Sequence, residues 1–173
     1  ETITLSGTNF GPTTTMVDSA KYTLSTGTVL GSVSEFEATG CTVTAMDTSG
    51  AVETGKIVCT TAPGIGKDFT WKVSVGSQVS PASSAQLSYT APTIASFDSR
   101  ANSPGHATQG GETVTIAGAN FGPRLDANTI AMEYANSVST ITADNCKVSV
   151  ANTEIICTTR EGDGSDFQWK VTV

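Results

Sequence analysis

The sequence predicts an all-β chain of two tandem β-sandwiches. Three observations carry that expectation: an internal repeat, an alternation of apolar and hydroxyl side chains, and two pairs of cysteines, one pair per repeat. Residues 1–12 read ETITLSGTNFGP and residues 112–123 read ETVTIAGANFGP, while residues 66–75 read GKDFTWKVSV and residues 164–173 read GSDFQWKVTV. The second pair of matches lies closer together than the first, so copy one carries extra residues in its middle, placed around 25–37 and 48–55. Constant ends with a variable middle are what strands and loops produce.

Each copy opens with a strand. In Thr2-Ile3-Thr4-Leu5 and Thr113-Val114-Thr115-Ile116 the apolar side chains fall on every second residue, which puts one face on a core and the other in water. The Asn-Phe-Gly turns that follow are expected to plug the corner of the core with Phe10 and Phe121. A late strand repeats the alternation in Phe69, Trp71, Val73 and Val75, and in Phe167, Trp169, Val171 and Val173. Both tryptophans share a face with Phe and Val, so a core role is expected in preference to a sugar-stacking platform. No segment holds a helical period, and short strands broken by Gly, Asn, Pro and Ser point to sandwiches. The two copies are expected to meet near residues 89–92 (YTAP), where a strand ending in Tyr89 runs into Pro92-Thr93-Ile94-Ala95-Ser96-Phe97. So short a junction implies a semi-rigid line of domains, as in a stalk or fibre.

Charged residues make up only 14% of the chain and the formal net charge is -7, so phosphate backbones and anionic membranes are repelled. No nucleic-acid partner and no direct membrane insertion of this segment are expected: no apolar run approaches the roughly 20 residues that span a bilayer. The chain starts at Glu1, which implies processing or an excerpt from a longer protein.

Spacing and repeat argue for disulfides Cys41–Cys59 and Cys146–Cys157, one inside each domain. If Ala151-Asn152 forms a two-residue turn, Cys146 falls directly opposite Cys157, and facing residues in an antiparallel pair approach to about 4.5 Å between Cα atoms. Such bridges imply an oxidising compartment; the alternative is four buried free thiols.

No catalytic residue, metal site or cofactor is expected. His106 is the single imidazole, in a loop of copy two with no counterpart in copy one, and it shows no evident carboxylate or nucleophile partner. A solvated loop role is expected of it. The acidic stretch at 161–166 (EGDGSD) is expected to be an ordinary hairpin loop in preference to a calcium cradle, because copy one offers a single acid there. Glu1, Glu112, Asp68 and Asp166 stand at strand starts, where turn and capping roles suffice. Ser and Thr crowd the polar faces, and no Asn-x-Ser/Thr acceptor exists. Hydroxyl-linked glycans at Thr13, Thr14, Thr15, Ser83 and Ser84 and plain solvated strand surface are the two readings of that richness.

The opening Pro92-x-Ile94, the Gly110-Gly111 pair, the Gly118-x-Asn120-Phe121-Gly122 turn with its copy Gly7-x-Asn9-Phe10-Gly11, and the I-x-C-x-T elements at 57–61 and 155–159 resemble the IPT/TIG domain. That family has an immunoglobulin-like fold and occurs in plexins, growth-factor receptors, Rel-type transcription factors and many surface proteins. The resemblance covers nearly the whole chain. It implies two tandem immunoglobulin-like sandwiches, residues 1–91 lacking the first strand of the template and residues 92–173 lacking the last. Two origins of the uneven ends stand open: a longer array of such domains, or strand exchange with a neighbouring chain.

The function expected is structural. End-to-end domains of an extracellular or cell-surface protein would build a stalk, coat or fibril, with like domains of the same or neighbouring chains as partners and glycans as a further one. The alternative is a ligand- or carbohydrate-binding adhesion module of a receptor or surface enzyme. A Rel-type role on DNA needs a basic surface that the charge denies.

Overall fold

The computed structural model describes residues 1–24, 35–47, 49, 53–99, 105–124 and 130–173. Most of the two segments expected to absorb the extra length of copy one lies outside the described residues, as do Ser103 and Pro104. Fifteen strands and no helix are found among the described residues. They fall into two compact units: one holds Glu1–Gly27, Val33–Pro63 and Lys67–Ser88, the other Tyr89–Val173 together with Gly64–Gly66.

The first unit contains β1 (Thr2–Thr8), β2 (Val17–Leu24), β3 (Glu35–Glu37), β4 (Thr39–Asp47), β5 (Thr54–Thr60), β6 (Phe69–Val75), β7 (Gln78–Val79) and β8 (Gln86–Leu87). One sheet runs β1-β5-β4 and the other β3-β2-β6-β7, with β8 also on β6. Between the sheets lie Tyr22, Ile57 and Phe69, each fully buried, with Ala20, Val43, Trp71 and Val73. The late strand shows the expected phase: Phe69, Trp71 and Val73 point inward at 0, 5 and 7% exposure. A two-residue hairpin at Gly76-Ser77, with φ of 56° and 65°, joins β6 to β7, and the Asp18 carboxylate accepts the Ser77 N–H at 2.8 Å.

The expected strand ending in Tyr89 is shorter than foreseen. Only β8, Gln86–Leu87, pairs there, and serine hydroxyls do much of the remaining work along the edge of β6. Ser80 Oγ accepts the Val73 N–H at 3.0 Å and Ser83 Oγ accepts the Trp71 N–H at 2.9 Å. The backbone N–H groups of the same two serines donate back to the carbonyls of Val73 and Trp71. Side-chain oxygens thus take the place of ladder carbonyls on an edge that Pro81 keeps from pairing regularly.

The second unit contains β9 (Thr93–Ser99), β10 (Thr113–Ala119), β11 (Ala131–Ala135), β12 (Thr140–Thr142), β13 (Asp144–Val150), β14 (Glu154–Thr158) and β15 (Gln168–Thr172). Its sheets run β13-β14-β10-β9 and β12-β11-β15. Matching β1 with β10, β5 with β14, β4 with β13, β2 with β11, β3 with β12 and β6 with β15 gives the same strand order in both units. Val114, Ile116, Phe121, Met132, Ile155 and Cys157 fill the space between the sheets, each at 2% exposure or less.

Two sequence readings need correction. The β13–β14 turn spans Ala151–Thr153, three residues instead of two, with Asn152 at φ 66° and a register shift between Val148 and Val150. A bulge followed by a left-handed Asn closes the hairpin with one extra residue. Residues 161–166 do not form a hairpin loop either: β14 and β15 belong to different sheets, so this stretch crosses from one layer to the other.

Candidate functional site

The four cysteines pair as the spacing suggests. Cys41–Cys59 links β4 to β5 and Cys146–Cys157 links β13 to β14, with Cα atoms 4.2 and 4.1 Å apart. Both bridges therefore join adjacent strands of one sheet. The residue before each upstream cysteine is left-handed, Gly40 at φ 62° and Asn145 at φ 51°, and the ladder shifts register there in both units. This bulge lets the ladder resume with each cysteine facing its partner. The loops closed have sequence separations of 18 and 11 residues, for which chain-entropy arguments assign about 3 kcal/mol each.

A second repeated device is a tyrosine clip that sequence reasoning missed. Tyr22 Oη accepts the Ala62 N–H at 3.0 Å and donates to the Ala62 carbonyl at 3.3 Å. Tyr134 does the same to Arg160, with both bonds at 3.1 Å. Each ring lies beside its unit's tryptophan, at 4.5 Å from Trp71 and 4.7 Å from Trp169 between centroids. The signal was present: Ala20-Lys21-Tyr22 and Met132-Glu133-Tyr134 share an inward phase.

The third is the Asn-Phe-Gly turn. Asn9 and Asn120 both have φ of 61°, while Gly11 and Gly122 have 76° and 86°, which side chains other than Asn and Gly adopt poorly. Phe121 is buried at 1% exposure, and Phe10 is half-buried. A Cβ on Gly7 would meet the Phe10 ring at 2.5 Å; one on Gly118 would overlap both the Phe121 ring and the Thr93 carbonyl of β9.

The polar candidates are scattered by comparison. His106 does have a carboxylate partner, contrary to the sequence reading: Nδ1 lies 3.1 Å from Glu112 Oε2. The same oxygen accepts the Ala107 N–H at 2.9 Å, so Glu112 organises the turn before β10. Among the described residues no group of three or more His, Cys, Asp or Glu is placed to hold a metal ion. In the 161–166 stretch Asp166 is left-handed at φ 60° and accepts the Ser165 hydroxyl at 2.9 Å. Asp144 meets Arg160 through two bonds of 2.8 Å, and these hold its carboxyl below the usual carboxylate range against a smaller opposing effect of burial.

Of the hydroxyls read as glycan acceptors, Thr13, Thr14 and Ser84 are exposed, whereas Thr15 and Ser83 are half-buried. Ser83 Oγ is engaged twice, accepting from Trp71 and donating to the Ala85 carbonyl at 2.6 Å.

One concavity stands out in the first unit. A groove of about 700 Å³ opens between β1 and the β6–β8 side of the opposite sheet, lined by Ile3, Leu5, Phe10, Trp71, Val73 and Leu87 among others. Its walls are mainly apolar.

Family comparison agrees with the second unit's architecture. Residues 92–173 match the family model of the IPT/TIG domain. No curated protein and no solved structure matches the chain. The IPT/TIG match covers β9 to β15, and with it the Cys146–Cys157 bridge, the Tyr134 clip and the Asn120-Phe121-Gly122 turn. IPT/TIG domains are non-catalytic immunoglobulin-like modules of surface and signalling proteins. The paired cysteines fit an extracellular or secreted setting. No helix among the described residues is long and apolar enough to cross a membrane.

Proposed function

We propose that this chain is a structural repeat segment of an extracellular protein, with the first unit a second IPT/TIG-type domain and the two forming part of a stalk, coat or fibril. The observation that carries this reading is which features recur. The cysteine bridge with its bulge, the tyrosine clip and the Asn-Phe-Gly corner occur in both units. The His106–Glu112 pair and the cluster of three acids at 161–166 occur once: copy one has no histidine, and at the acidic stretch it has the single acid Asp68. What is kept between copies is what holds a sandwich shut, and a module used for spacing needs little else. Glycans on the exposed Thr13, Thr14 and Ser84 would suit such a surface; Ser83 is a poorer acceptor because its hydroxyl serves the fold.

The competing reading, an adhesion or carbohydrate-binding module, draws on the groove of the first unit. Trp71 is only 5% exposed there, so it offers no ring face for a sugar to stack on.

Electron microscopy of the native material tests the proposal. Polymers or stalks with an axial repeat of one or a few domains are expected. Isolated particles in which these domains flank a catalytic body would contradict it.

A further inference from the structure

An Asp or Asn side chain can be attacked by the backbone nitrogen of the next residue, and the five-membered ring closes most readily when that residue is Gly or Ser. Outside the strands, two such pairs fall among the described residues: Asn136-Ser137 and Asp163-Gly164. The fold treats them oppositely. Asn136 is half-buried and clamped: Oδ1 accepts the Val138 and Ser139 N–H groups at 2.9 Å each, and Nδ2 donates to the Ser165 carbonyl at 3.0 Å. Its carboxamide cannot turn toward the Ser137 nitrogen without breaking these bonds. Asp163 is exposed, and among the described residues neither its carboxylate nor the Gly164 N–H has a hydrogen-bond partner. The glycine itself is required. Gly164 has φ of 121°, and a Cβ there would meet Asn136 Nδ2 at 3.1 Å and the Phe167 ring at 3.3 Å. Copy one keeps a glycine at this place, Gly66 at φ 106°, but the residue before it is Ile65, buried at 5% exposure.

The geometry points to Asp163 as a modification site whose backbone isomerises spontaneously through a cyclic imide. The Gly164 nitrogen bonds to the carboxyl carbon of the protonated Asp163 side chain, the bond from that carbon to its hydroxyl breaks, and the hydroxyl leaves with the amide proton as water. A second water then opens the ring. Attack at the side-chain carbonyl restores Asp163; attack at the main-chain carbonyl leaves Gly164 joined through the side chain, a β-linked aspartate with a free α-carboxylate. Water is the sole co-reactant, and the net mass is unchanged. The product lengthens the main chain by one atom just ahead of Ser165, the residue whose carbonyl holds Asn136. Because Ile65 stands in the place of Asp163, copy one has no equivalent, so the modification marks the age of the second unit at this crossing alone.

Ageing the folded 173-residue chain in water enriched in oxygen-18, followed by peptide mapping with electron-transfer fragmentation, tests the site. The same chain, reduced and denatured, serves as the reference in which no residue is protected by the fold. A β-linked aspartate carrying one labelled oxygen is expected at Asp163, growing with time at a rate within tenfold of the denatured chain. Deamidation of Asn136 is expected to be more than tenfold slower in the folded chain than in the denatured one. An Asp163→Glu chain, whose longer side chain would have to close a six-membered ring, should show at least tenfold less label in that peptide. Its NMR spectrum should match the parent's outside the 161–166 stretch, since the Asp163 carboxylate holds nothing. A folded rate at Asp163 more than tenfold below the denatured one, equal label in the Asp163→Glu peptide, or less than tenfold protection of Asn136 would overturn the inference.

Discussion

Tyr134 takes both backbone polar groups of Arg160: its hydroxyl accepts the N–H and donates to the carbonyl, each at 3.1 Å. Tyr22 holds Ala62 in the same way, so each unit ties the segment that follows its downstream cysteine strand, β5 or β14, back to the opposite sheet. Replacing either tyrosine with Phe keeps the ring packing but strands two part-buried backbone groups, at about 1–3 kcal/mol. Thermal melts of Y22F and Y134F are expected to fall by roughly 4–8 °C for each kcal/mol lost in a domain of this size. Melts within a degree of the parent would show the clips to be dispensable.

The bulge before each upstream cysteine makes a sharper prediction, because the two units solve it with different residues. A Cβ added at Gly40, whose φ is 62°, would meet nothing within 4 Å, so only backbone strain resists substitution there. Asn145 already occupies the equivalent place at φ 51°. Gly40→Asn should therefore cost less than about 0.5 kcal/mol, while Gly40→Val should cost roughly 1–2 kcal/mol or more. Denaturant melts of both variants check the order; equal costs would contradict it.

How much of the fold was legible in the sequence follows from the kind of interaction each feature depends on. The inward phase of Phe69, Trp71 and Val73 was legible because alternation is a property of one strand by itself. The cysteine pairs were legible because they recur at matching places. The serine stitches at Ser80 and Ser83 were not, since a hydroxyl serving a neighbouring strand looks in sequence like a solvated one. Nor was the His106–Glu112 contact, which a tight turn closes across six residues.

Ser83 and its neighbour Ser84 separate a structural hydroxyl from a surface one. Ser83→Ala leaves the Trp71 N–H without its acceptor and is expected to cost about 1 kcal/mol or more, whereas Ser84→Ala should stay within ~0.5 kcal/mol. If the native protein carries hydroxyl-linked sugar, glycopeptide mapping should find it at Thr13, Thr14 or Ser84 and not at Ser83. A sugar on Ser83 in folded protein would contradict the assignment of its hydroxyl.

Acid should weaken the second unit in a defined window. Two hydrogen bonds from Arg160 lower the Asp144 carboxyl below its ordinary value, and those from Ser49 lower Asp47 in the first unit. A carboxyl with a depressed folded pKa contributes stability that is fully present above the unfolded value, about 3.9, and is lost as pH falls through the folded value. Melting temperature should therefore hold between about pH 7 and 5 on account of these groups and decline below about 4. Asp144→Asn should flatten part of that decline; an unchanged acid limb would remove the pair from the account.

Everything proposed for this chain depends on each unit being closed by its own bridge where the protein is made. Peptide mapping of unreduced protein from its native source, with free thiols blocked at lysis, tests this most directly. The account predicts Cys41 linked to Cys59 and Cys146 linked to Cys157 in nearly every molecule, with no blocked cysteine. Four blocked thiols, or a bridge running from one unit to the other, would contradict it.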